Sequence, residues 1–259
     1  MGATDGARGR GTVAVVMDGF ILAAGRGTRL RPLTDRVPKA LVEVGGRPLL
    51  AHVATRLVAA GVDRLVVNLH HLGEQIEAYL ATHEFGVPVF LSWEGERPLE
   101  TGGALRHAAG LLRRDAPFLL HNVDVLTDLP LRELWEAQRR EDALATVAVM
   151  ERPTRRRLLF DDEGLVGWQR DAEVRWARPP RGAVVALAYA GVQAIDPALL
   201  DRLEEEGAFP LWVPYLRLAA AGARIAPFRV DGCCWLDVGR PETLVRAQAE
   251  AHAWIEEAW

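Results

Sequence analysis

Several residue types are nearly absent from this 259-residue chain. It has one serine, Ser92, and its two cysteines, Cys233 and Cys234, are adjacent. Because Ser92 lies outside any Gly-x-Ser-x-Gly pattern, the chain has no serine nucleophile elbow. Adjacent cysteines provide neither a disulfide framework nor the spaced ligand pairs of a zinc site. This cysteine usage is typical of a cytoplasmic protein.

Long apolar runs and a strong charge imbalance are also missing. Gly, Asp or Arg breaks the apolar runs within about ten residues, which is too short to span a bilayer. The net charge of −4 gives no reason to expect nucleic-acid binding. The Gly-rich segment 1–16 has no apolar h-region, so we expect a disordered tail rather than a signal peptide, with Met17 as an alternative start. We expect a cytoplasmic monomer or homodimer without membrane or nucleic-acid partners.

Strand-like and helix-like segments alternate along the first half of the chain. The strand candidates are TVAVVMDGFILAAG, DRLVVNL, GVPVFLSW and APFLLHNVD. The helix candidates between them are PLLAHVATRLVAAG, LGEQIEAYLATH and TGGALRHAAGLL. This β-α-β-α-β-α-β order predicts an α/β fold with a mixed, mostly parallel central sheet and helices on both faces.

The pattern becomes less regular after residue 140. ALATVAVM predicts a strand, and RRLLFDDEGLVGW predicts a hairpin with an Asp-Glu-Gly turn. DPALLDRLEEEG predicts a helix with Asp196 as N-cap and Pro197 at its first position. RPETLVRAQAEAHAWIEEAW predicts a terminal helix. We expect a single domain over residues 17–259, in which the second half adds a small lid to the same sheet.

The segment AAGRGTRLRPLT follows the first predicted strand and is glycine-rich and basic. Gly25 and Gly27 allow backbone N–H groups to approach an anion closely. Leu30 replaces the third glycine of a dinucleotide fingerprint, and no Gly-Lys-Ser/Thr of a P-loop follows. The alternative interpretation is an ordinary solvated basic loop at a strand end.

One lysine among 31 basic residues favours the anion-binding interpretation. The chain contains 30 arginines, and Lys39 is the single lysine. Lysine is a compact point charge, whereas arginine is a planar fork. We therefore hypothesise that Lys39 lies between two phosphate groups, where a guanidinium would clash.

Residues 22–50, LAAGRGTRLRPLTDRVPKALVEVGGRPLL, resemble the signature of the sugar-1-phosphate nucleotidyltransferases. These enzymes join a nucleoside triphosphate to a sugar phosphate and release pyrophosphate. The resemblance extends from about residue 18 to the end of the chain. It implies a Rossmann-like nucleotidyltransferase fold, with a nucleotide-binding half over 17–140 and a sugar-binding half over 141–259.

The same resemblance assigns roles within the glycine-rich loop. Four residues would line the base and ribose: Leu22, Ala23, Ala24 and Gly25. Gly27, Thr28 and Arg29 would hold the β- and γ-phosphates. Lys39 would bridge the nucleotide and the sugar phosphate, so that Arg29 and Lys39 are the predicted catalytic residues.

Two aspartates, far apart in sequence, each end a predicted strand. Asp124 follows LLHNV, and Asp237 lies in CCWLDVGRPETL. Local turn capping and the start of the last helix are the alternative interpretations. A pair of carboxylates together with substrate phosphates suits Mg²⁺, and the family's two metal aspartates match these positions. Val123 stands where the family more often has glycine, which bears on sugar contacts rather than on the metal.

Further contacts are predicted on both substrates. Thr101, Gly102 and Gly103 are expected at a helix N-terminus with free N–H groups, although an ordinary N-cap is the alternative. The resemblance implies that this loop closes on the base, with Glu94 or Glu100 near the base edge.

The sugar phosphate is assigned to three residues. Asn122, one of two asparagines in the chain, precedes the first metal aspartate. By resemblance, Arg156 anchors the sugar phosphate, although ERPTRRR could equally be a solvated charge run. Gly191 would let the backbone approach a sugar hydroxyl, unless it marks a bulge.

The sequence is similar to N-acetylmuramate-1-phosphate uridylyltransferases and mannose-1-phosphate guanylyltransferases, and heptose-1-phosphate guanylyltransferases are near. Two alternatives stay open. A phosphocholine cytidylyltransferase of the same fold would need an aromatic cage, for which the candidates are Trp135, Trp168, Trp176, Trp212 and Trp235. A non-catalytic subunit that senses nucleotide sugars is the other alternative.

Overall fold

A computed structural model gives the fold of this protein and describes residues 16–251. The strands are β1 (Asp18–Leu22), β2 (Glu43–Val44), β3 (Arg47–Pro48), β4 (Arg64–Leu69), β5 (Val89–Trp93), β6 (Phe118–Asn122), β7 (Val125–Thr127), β8 (Ala145–Met150), β9 (Arg156–Asp161), β10 (Gly164–Arg170), β11 (Glu173–Trp176), β12 (Val185–Ile195), β13 (Ile225–Arg229) and β14 (Trp235–Asp237). The α-helices are α1 (Leu49–Ala59), α2 (Gly73–Thr82), α3 (Glu100–Ala108), α4 (Leu131–Arg140), α5 (Trp212–Ala220) and α6 (Pro241–Ala249). Short 3₁₀ helices span Thr28–Leu30, Leu33–Asp35, Lys39–Leu41, Ala109–Leu111 and Pro197–Arg202.

The central sheet is mixed, as the sequence predicted. Its main path has the order β11-β10-β9-β12-β6-β1-β4-β5, and β8 joins it through β12 and carries β13. Strands β6, β1, β4 and β5 are parallel to one another. Helices cross over between successive strands of this group, which is the connection that parallel pairing requires. The strands of the second half pair mainly antiparallel, because a hairpin connects β9 with β10 and β12 runs antiparallel to β6.

Helices cover both faces of the sheet, and β1 shows how. Phe20 belongs to a buried cluster that includes residues of α3 and α5. Its neighbour Ile21 belongs to a second cluster that includes residues of α1 and α4. Consecutive strand residues point to opposite faces, so this apolar strand is buried on both sides. The predicted α/β fold with helices on both faces is confirmed.

A third, smaller apolar cluster supports the strand that ends in Asp237. It joins Leu126 of β7 and Leu236 of β14 with Ala247 of α6. Strand β14 pairs antiparallel with β7, and Asp237 lies opposite Val125. This pairing brings a residue near the chain's end beside the segment that follows β6.

The segment that begins at Asp196 agrees only in part with the helix predicted for it. Asp196 caps its helix as predicted, with its carboxylate accepting the N–H of Ala198 at 2.8 Å. That helix, however, is a 3₁₀ helix that ends at Arg202, before Leu203 and the Glu-Glu-Glu-Gly run that the prediction had included. The predicted tail 1–16, apart from Val16, lies outside the described residues, as do residues 252–259 of the predicted terminal helix.

No helix within residues 16–251 has the length and apolar character needed to cross a membrane.

The β9–β10 hairpin of the lid is held at its turn by a buried carboxylate. Asp161 accepts hydrogen bonds from both terminal nitrogens of Arg178, at 2.8 and 2.6 Å, and from the N–H groups of Arg181 and Glu163. The Arg178 guanidinium is the main reason that the pKa of Asp161 falls to about 2. An acid with a lowered pKa in the folded state stabilises the fold above its unfolded pKa, and this stabilisation is lost as the pH falls toward the folded value.

We expect Asp161→Asn to lower the free energy of unfolding at pH 7 by about 2 kcal/mol, and this difference to shrink between pH 4 and pH 2. Urea melts across that range measure it. Asp171→Asn is the matched control, because Asp171 also pairs with an arginine, Arg155, but its side chain is 45% exposed. A pH-independent difference, or an equal loss in both variants, would contradict the buried-clamp explanation.

Candidate active site

The loop after β1 has the geometry of an anion-binding loop. Among residues 16–251, the backbone N–H groups of Gly25, Arg26 and Gly27 have no hydrogen-bond acceptor. Gly27 has φ +61°, and a Cβ there would lie 2.8 Å from Thr34 Cγ2. Thr34 also donates its hydroxyl to the Gly27 carbonyl at 2.8 Å. Glycine is therefore required at position 27 by conformation and by space, and the loop's donors remain available to a ligand.

Asn68, which sequence reasoning left without a role, fixes the start of this loop. Its side-chain oxygen accepts the N–H groups of Ala23 and Ala24 at 2.6 and 3.2 Å. Its amide nitrogen donates to Glu94 at 2.7 Å, and the other Glu94 oxygen accepts the N–H of Leu99 at 2.8 Å. Asn68 and Glu94 are both buried. The pair therefore ties the phosphate loop to the segment before α3, while a base contact by Glu94 stays a prediction.

Both asparagines of the chain lie in the candidate site. Asn68 follows β4's apolar run, and Asn122 ends β6. Their scarcity was the signal available in the sequence, and the sequence analysis used it only for Asn122. Parallel pairing places Asn122 beside Leu22 of β1. The Asn122 side-chain oxygen is buried and has no hydrogen-bond partner within the described residues.

The two predicted metal aspartates come together with Lys39 and Arg29. The Lys39 ammonium forms an ion pair with Asp124, and the Lys39 side chain is only 8% exposed. The N–H of Val238 donates to the Asp124 carbonyl at 2.8 Å, which joins the two aspartate segments directly. A Cβ at Gly239 would lie 2.6 Å from Arg29 Nη2 and closer still to Asp237 Oδ1. Glycine at 239 therefore leaves room for the Arg29 guanidinium beside Asp237.

The charge around Asp237 indicates a cation site. Burial and the neighbouring Asp124 raise the pKa of Asp237, and the positive charges of Lys39 and Arg29 partly oppose that rise. Its Oδ1 is buried and has no hydrogen-bond partner within residues 16–251. An unpartnered buried carboxylate oxygen is costly, and a hard cation would satisfy it.

The donor set is that of a metal held partly by its substrates. Within residues 16–251, no cluster of three or more His, Cys, Asp or Glu side chains could enclose an ion. Asp124 and Asp237 therefore provide two carboxylates, and water or phosphate oxygens must complete the coordination. Two carboxylates plus substrate phosphates are sufficient for a divalent cation such as Mg²⁺, so the residues present fit a metal here.

Most of these groups line one cavity of about 380 Å³, called here the phosphate-loop cavity. The predicted site residues that line it are Leu22, Ala24, Gly25, Gly27, Thr28, Arg29, Lys39, Glu94, Thr101, Asn122 and Asp124. Ala23 is buried behind the loop, where its N–H is bound to Asn68. Asp237 lies at the cavity's border, two residues before the lining residue Gly239.

A second cavity of about 390 Å³, called here the aromatic cavity, adjoins the first. Glu100, Thr101 and Asn122 line both cavities. The aromatic cavity's other lining residues come mostly from the second half of the chain: Val147, Arg156, Arg157, Leu158, Trp168, Tyr189, Gln193, Pro210, Leu211, Trp212 and Tyr215. Apart from Arg156, these residues carry no motif that predicts a sugar site, because they are scattered between Val147 and Tyr215.

Arg156 lies on the cavity side of β9. It shares a strand face with Leu158, which lies directly opposite Trp168 in the β9–β10 ladder. The Arg156 guanidinium makes no ion pair with any described residue, whereas the adjacent Arg155 is paired with Asp171. The run of arginines is therefore divided between a surface ion pair at Arg155 and two cations, Arg156 and Arg157, that line the aromatic cavity without an ion pair among the described residues.

Two predictions about glycines need correction. The N–H groups of Gly102 and Gly103 are not free, because both donate to the Phe209 carbonyl, at 2.9 and 3.2 Å. A Cβ at Gly102 would clash with the Phe209 ring, and one at Gly103 would clash with the Gly207 carbonyl. These glycines therefore allow the segment 207–211 to pack on α3. Thr101 is tied to the same segment, since its hydroxyl accepts the Leu211 N–H at 2.9 Å.

Gly191 occupies a bulge rather than a cavity wall. The register of β12 against β8 shifts between Tyr189 and Gln193, and Gly191 has φ +85°. A Cβ there would lie 2.6 Å from Val125 Cγ2. Gly191 lines neither the phosphate-loop cavity nor the aromatic cavity. These observations favour the bulge interpretation over a direct sugar contact.

The tryptophans do not form a choline cage among the described residues. Trp168 and Trp212 stack on each other, with ring centroids 4.3 Å apart, and the Arg175 guanidinium lies over both. Trp135 is fully buried, and Arg152 lies 4.2 Å over the Trp235 ring. A cage needs several aromatic faces arranged around one cation, and of the five candidates only Trp168 and Trp212, which stack on each other, line the aromatic cavity. The cytidylyltransferase alternative is therefore disfavoured.

Groups suited to bind a polyphosphate thus meet at the carboxyl ends of β1, β4 and β6, where open α/β sheets bind nucleotides. A nucleotide-dependent transferase of α/β type is the class that this fold and site define. The nucleotidyl transferase family model matches residues 18–161. The chain belongs to the nucleotidyl transferase family, and it is a nucleotidyltransferase.

Relatives and solved structures agree with this placement. The chain is 35% identical to an N-acetylmuramate alpha-1-phosphate uridylyltransferase of Caulobacter vibrioides, over 89% of this chain and 95% of that protein. It is 34% identical to a mannose-1-phosphate guanyltransferase of Gibberella zeae, over 87% of this chain but 62% of that longer protein. The fold resembles a UDP-glucose pyrophosphorylase from Acinetobacter baumanii, with a TM-score of 0.77, 18% identity and coverage of 93% and 95% of the two chains.

Proposed function

We propose that this enzyme joins a nucleoside triphosphate to a sugar 1-phosphate and releases pyrophosphate. The observation that carries the proposal is the junction of the two cavities, which share Glu100, Thr101 and Asn122 and meet beside Asp124. The nucleotide would occupy the phosphate-loop cavity and the sugar the aromatic cavity. This arrangement supports a nucleotide-binding half over 17–140 and a sugar-binding half over 141–259. Glu100, Thr101 and Asn122 belong to the first half but line both cavities.

The reaction would be an in-line substitution at the α-phosphorus. A sugar-phosphate oxygen forms the new bond to that phosphorus, and the bond to the bridging oxygen of the pyrophosphate breaks. A phosphate monoester has a second pKa of about 6 and is largely dianionic at pH 7. The nucleophile therefore needs no general base, and catalysis depends on positioning and on neutralising charge.

Lys39 and Arg29 would provide the protein's share of that neutralisation. Lys39 is buried beside Asp124, where an ammonium can contact both the α-phosphate and the incoming phosphate. Arg29 lies by Gly239, with the free N–H groups of the loop for the β- and γ-phosphates. Asp124 and Asp237 would hold Mg²⁺, which when bound neutralises charge that develops on the phosphate oxygens. His121 stays neutral beneath the site, because burial lowers its pKa to about 4.

Among sugars, the aromatic cavity favours the N-acetylmuramate type, and UTP as the nucleotide follows from the name of the uridylyltransferase relative. N-acetylmuramate carries an acetamido group with an apolar methyl and a carboxylate, and mannose carries neither. Arg156 is a cation without an ion pair among the described residues, and it lies beside the apolar Leu158 and Trp168. We therefore propose that Arg156 binds the carboxylate of the sugar, in place of the phosphate contact that the family resemblance implied. Charge-assisted hydrogen bonds from arginine to a carboxylate are among the stronger polar contacts. A cytoplasmic location and a monomeric or homodimeric state stay predictions.

Pyrophosphate release with Mg²⁺ tests the proposal, using UTP, GTP, CTP, ATP and dTTP against a panel of sugar 1-phosphates and phosphocholine. We expect the highest kcat/KM with UTP and N-acetylmuramate 1-phosphate. Arg156→Ala should reduce that preference over mannose 1-phosphate by about 10-fold or more, since an ionic hydrogen bond of about 1.5–3 kcal/mol is lost. Arg155→Ala is the control and should leave the preference unchanged.

Other outcomes are equally informative. A preference for GTP with mannose 1-phosphate, unaffected by Arg156→Ala, would overturn the choice of sugar while the reaction class stands. Nucleotide binding without turnover on any pair would favour the sensing-subunit alternative.

A further inference from the structure

The backbone of Glu100 is strained at the point where the two cavities meet. Its φ is +58°, a left-handed conformation that side chains other than glycine rarely adopt. Glu100 is the first residue of α3, and its neighbours Gly102 and Gly103 are glycines with ordinary φ values. The chain therefore places glycine where packing needs space and a glutamate where the backbone itself favours glycine. Retained strain of this kind is concentrated at functional sites.

Contacts on both sides of Glu100 impose this conformation. Before it, Leu99 is held twice: its N–H donates to Glu94, and its carbonyl accepts the Phe209 N–H at 3.1 Å. After it, Gly102 donates to the Phe209 carbonyl at 2.9 Å. These clamps fix where the chain enters and leaves position 100, so the residue between them must turn through the left-handed region whatever its side chain.

The Glu100 side chain is placed to contact substrates and makes no bond of its own. It lines both the phosphate-loop cavity and the aromatic cavity. Within residues 16–251 its carboxylate has no hydrogen-bond donor and no ion-pair partner, although the side chain is exposed to solvent. An acid at a helix N-terminus also interacts favourably with the helix dipole, and this is the competing, purely structural explanation.

We propose that Glu100 is a specificity-determining residue whose carboxylate accepts a hydrogen bond from a substrate hydroxyl or amide N–H at the junction of the two cavities. The inference rests on the proposed function, because it requires both substrates to lie there. The donor belongs either to the nucleotide, through a ribose O–H or an N–H of its base, or to the sugar, through an O–H or an amide N–H. A phosphate contact is excluded by like charge.

Three variants test the inference in the pyrophosphate-release assay and by thermal melting. Glu100→Gly removes the carboxylate and relieves the strained φ, so we expect Tm to rise by about 1–4 °C and kcat/KM to fall about 10- to 100-fold. Glu100→Gln keeps size and strain, so we expect an unchanged Tm and a fall in kcat/KM of about 3- to 30-fold. Glu242→Gly is the matched control: Glu242 is a first-turn acid of α6 with an ordinary φ and lines neither cavity. In Glu242→Gly the Tm should fall, and kcat/KM should stay at the wild-type value.

The substrate whose KM rises in Glu100→Gly identifies the molecule that carries the donor: the nucleoside triphosphate or the sugar phosphate. Opposite movements of Tm and kcat/KM in Glu100→Gly support the inference. A Tm that falls with wild-type kcat/KM would show a helix-dipole role and overturn it. If wild-type protein itself turns over no substrate pair, the proposed function has failed. If wild-type protein turns over a substrate pair and Glu100→Gly has the same kcat/KM and KM values, only the Glu100 inference has failed.

Discussion

Asp237→Asn is expected to lower kcat/KM by about 10³-fold or more while leaving the fold intact. Removing one of two carboxylates from the predicted Mg²⁺ site should cost several kcal/mol of transition-state stabilisation, and about 4 kcal/mol corresponds to this factor. Asparagine has nearly the same shape as aspartate, and β14 is held by its ladder with β7 rather than by the Asp237 side chain. The loss should therefore be chemical rather than structural.

The same substitution should not destabilise the metal-free protein. Burial and Asp124 raise the pKa of Asp237, so the folded state disfavours its ionised form. An acid whose pKa is raised on folding lowers stability as the pH rises above its unfolded pKa. Asparagine removes that penalty, so the metal-free variant should melt at or above the wild-type Tm at pH 7. Mg²⁺ should raise the Tm of the wild type and have little effect on the variant.

Steady-state pyrophosphate release over a Mg²⁺ titration, combined with melting curves, measures both effects. Asp128→Asn is the matched control, because Asp128 follows β7, is exposed and lies outside both cavities. It should keep turnover and the Mg²⁺-dependent rise in Tm. Near-wild-type kcat/KM in Asp237→Asn, or an equal Mg²⁺ effect on both proteins, would show that Asp237 holds no metal.

Lys39→Arg is expected to reduce kcat by about 10²-fold, although it preserves the charge. The Lys39 side chain is 8% exposed and ends against Asp124, and its Cβ lies 3.2 Å from a Cβ built at Gly27. A planar guanidinium is larger than an ammonium and cannot present the same point charge to two phosphates. A displacement of the reacting groups by about 1 Å is enough for a loss of this size.

Single-turnover rates at saturating substrate, measured beside Tm, separate this effect from misfolding. Lys39→Met should lose more, because it removes the charge and leaves Asp124 unpaired. Arg26→Lys is the control, because it makes the reverse exchange of arginine for lysine in the same loop. Arg26 is exposed, so this variant should keep kcat within a few-fold of the wild-type value. Full turnover by Lys39→Arg would refute the requirement for a compact cation.

Sequence periodicity was sufficient for the α/β architecture. Alternating apolar strands and amphipathic helices require a sheet buried on both faces, and Phe20 and Ile21 of β1 are buried in different clusters. Local chemistry was also sufficient to predict an anion-binding loop, since two glycines follow the first strand and the chain's single lysine, Lys39, comes shortly after them. Asp124 and Asp237 could be placed at strand ends from their own segments, but only the family resemblance joined them.

The roles that the sequence left open or placed wrongly depend on residues far apart in the chain. Gly102 and Gly103 read locally as a helix N-terminus with free donors, yet a carbonyl more than a hundred positions later accepts their N–H groups. Asn68 and Glu94 form one hydrogen-bonded unit across two strands. The strain at Glu100 arises from clamps on either side of it, one of which is Phe209.

The sequence by itself therefore determined which elements form, and it predicted which loop binds an anion and which cation has a special role. Helical and strand periods, caps and glycine preferences act over a few residues and can be read directly. The tertiary structure alone decided which donors remain free, how the two cavities join and where the backbone is strained. Those properties depend on the spatial partners of each polar group, and partners separated by 26 to 110 positions leave no local pattern in the sequence.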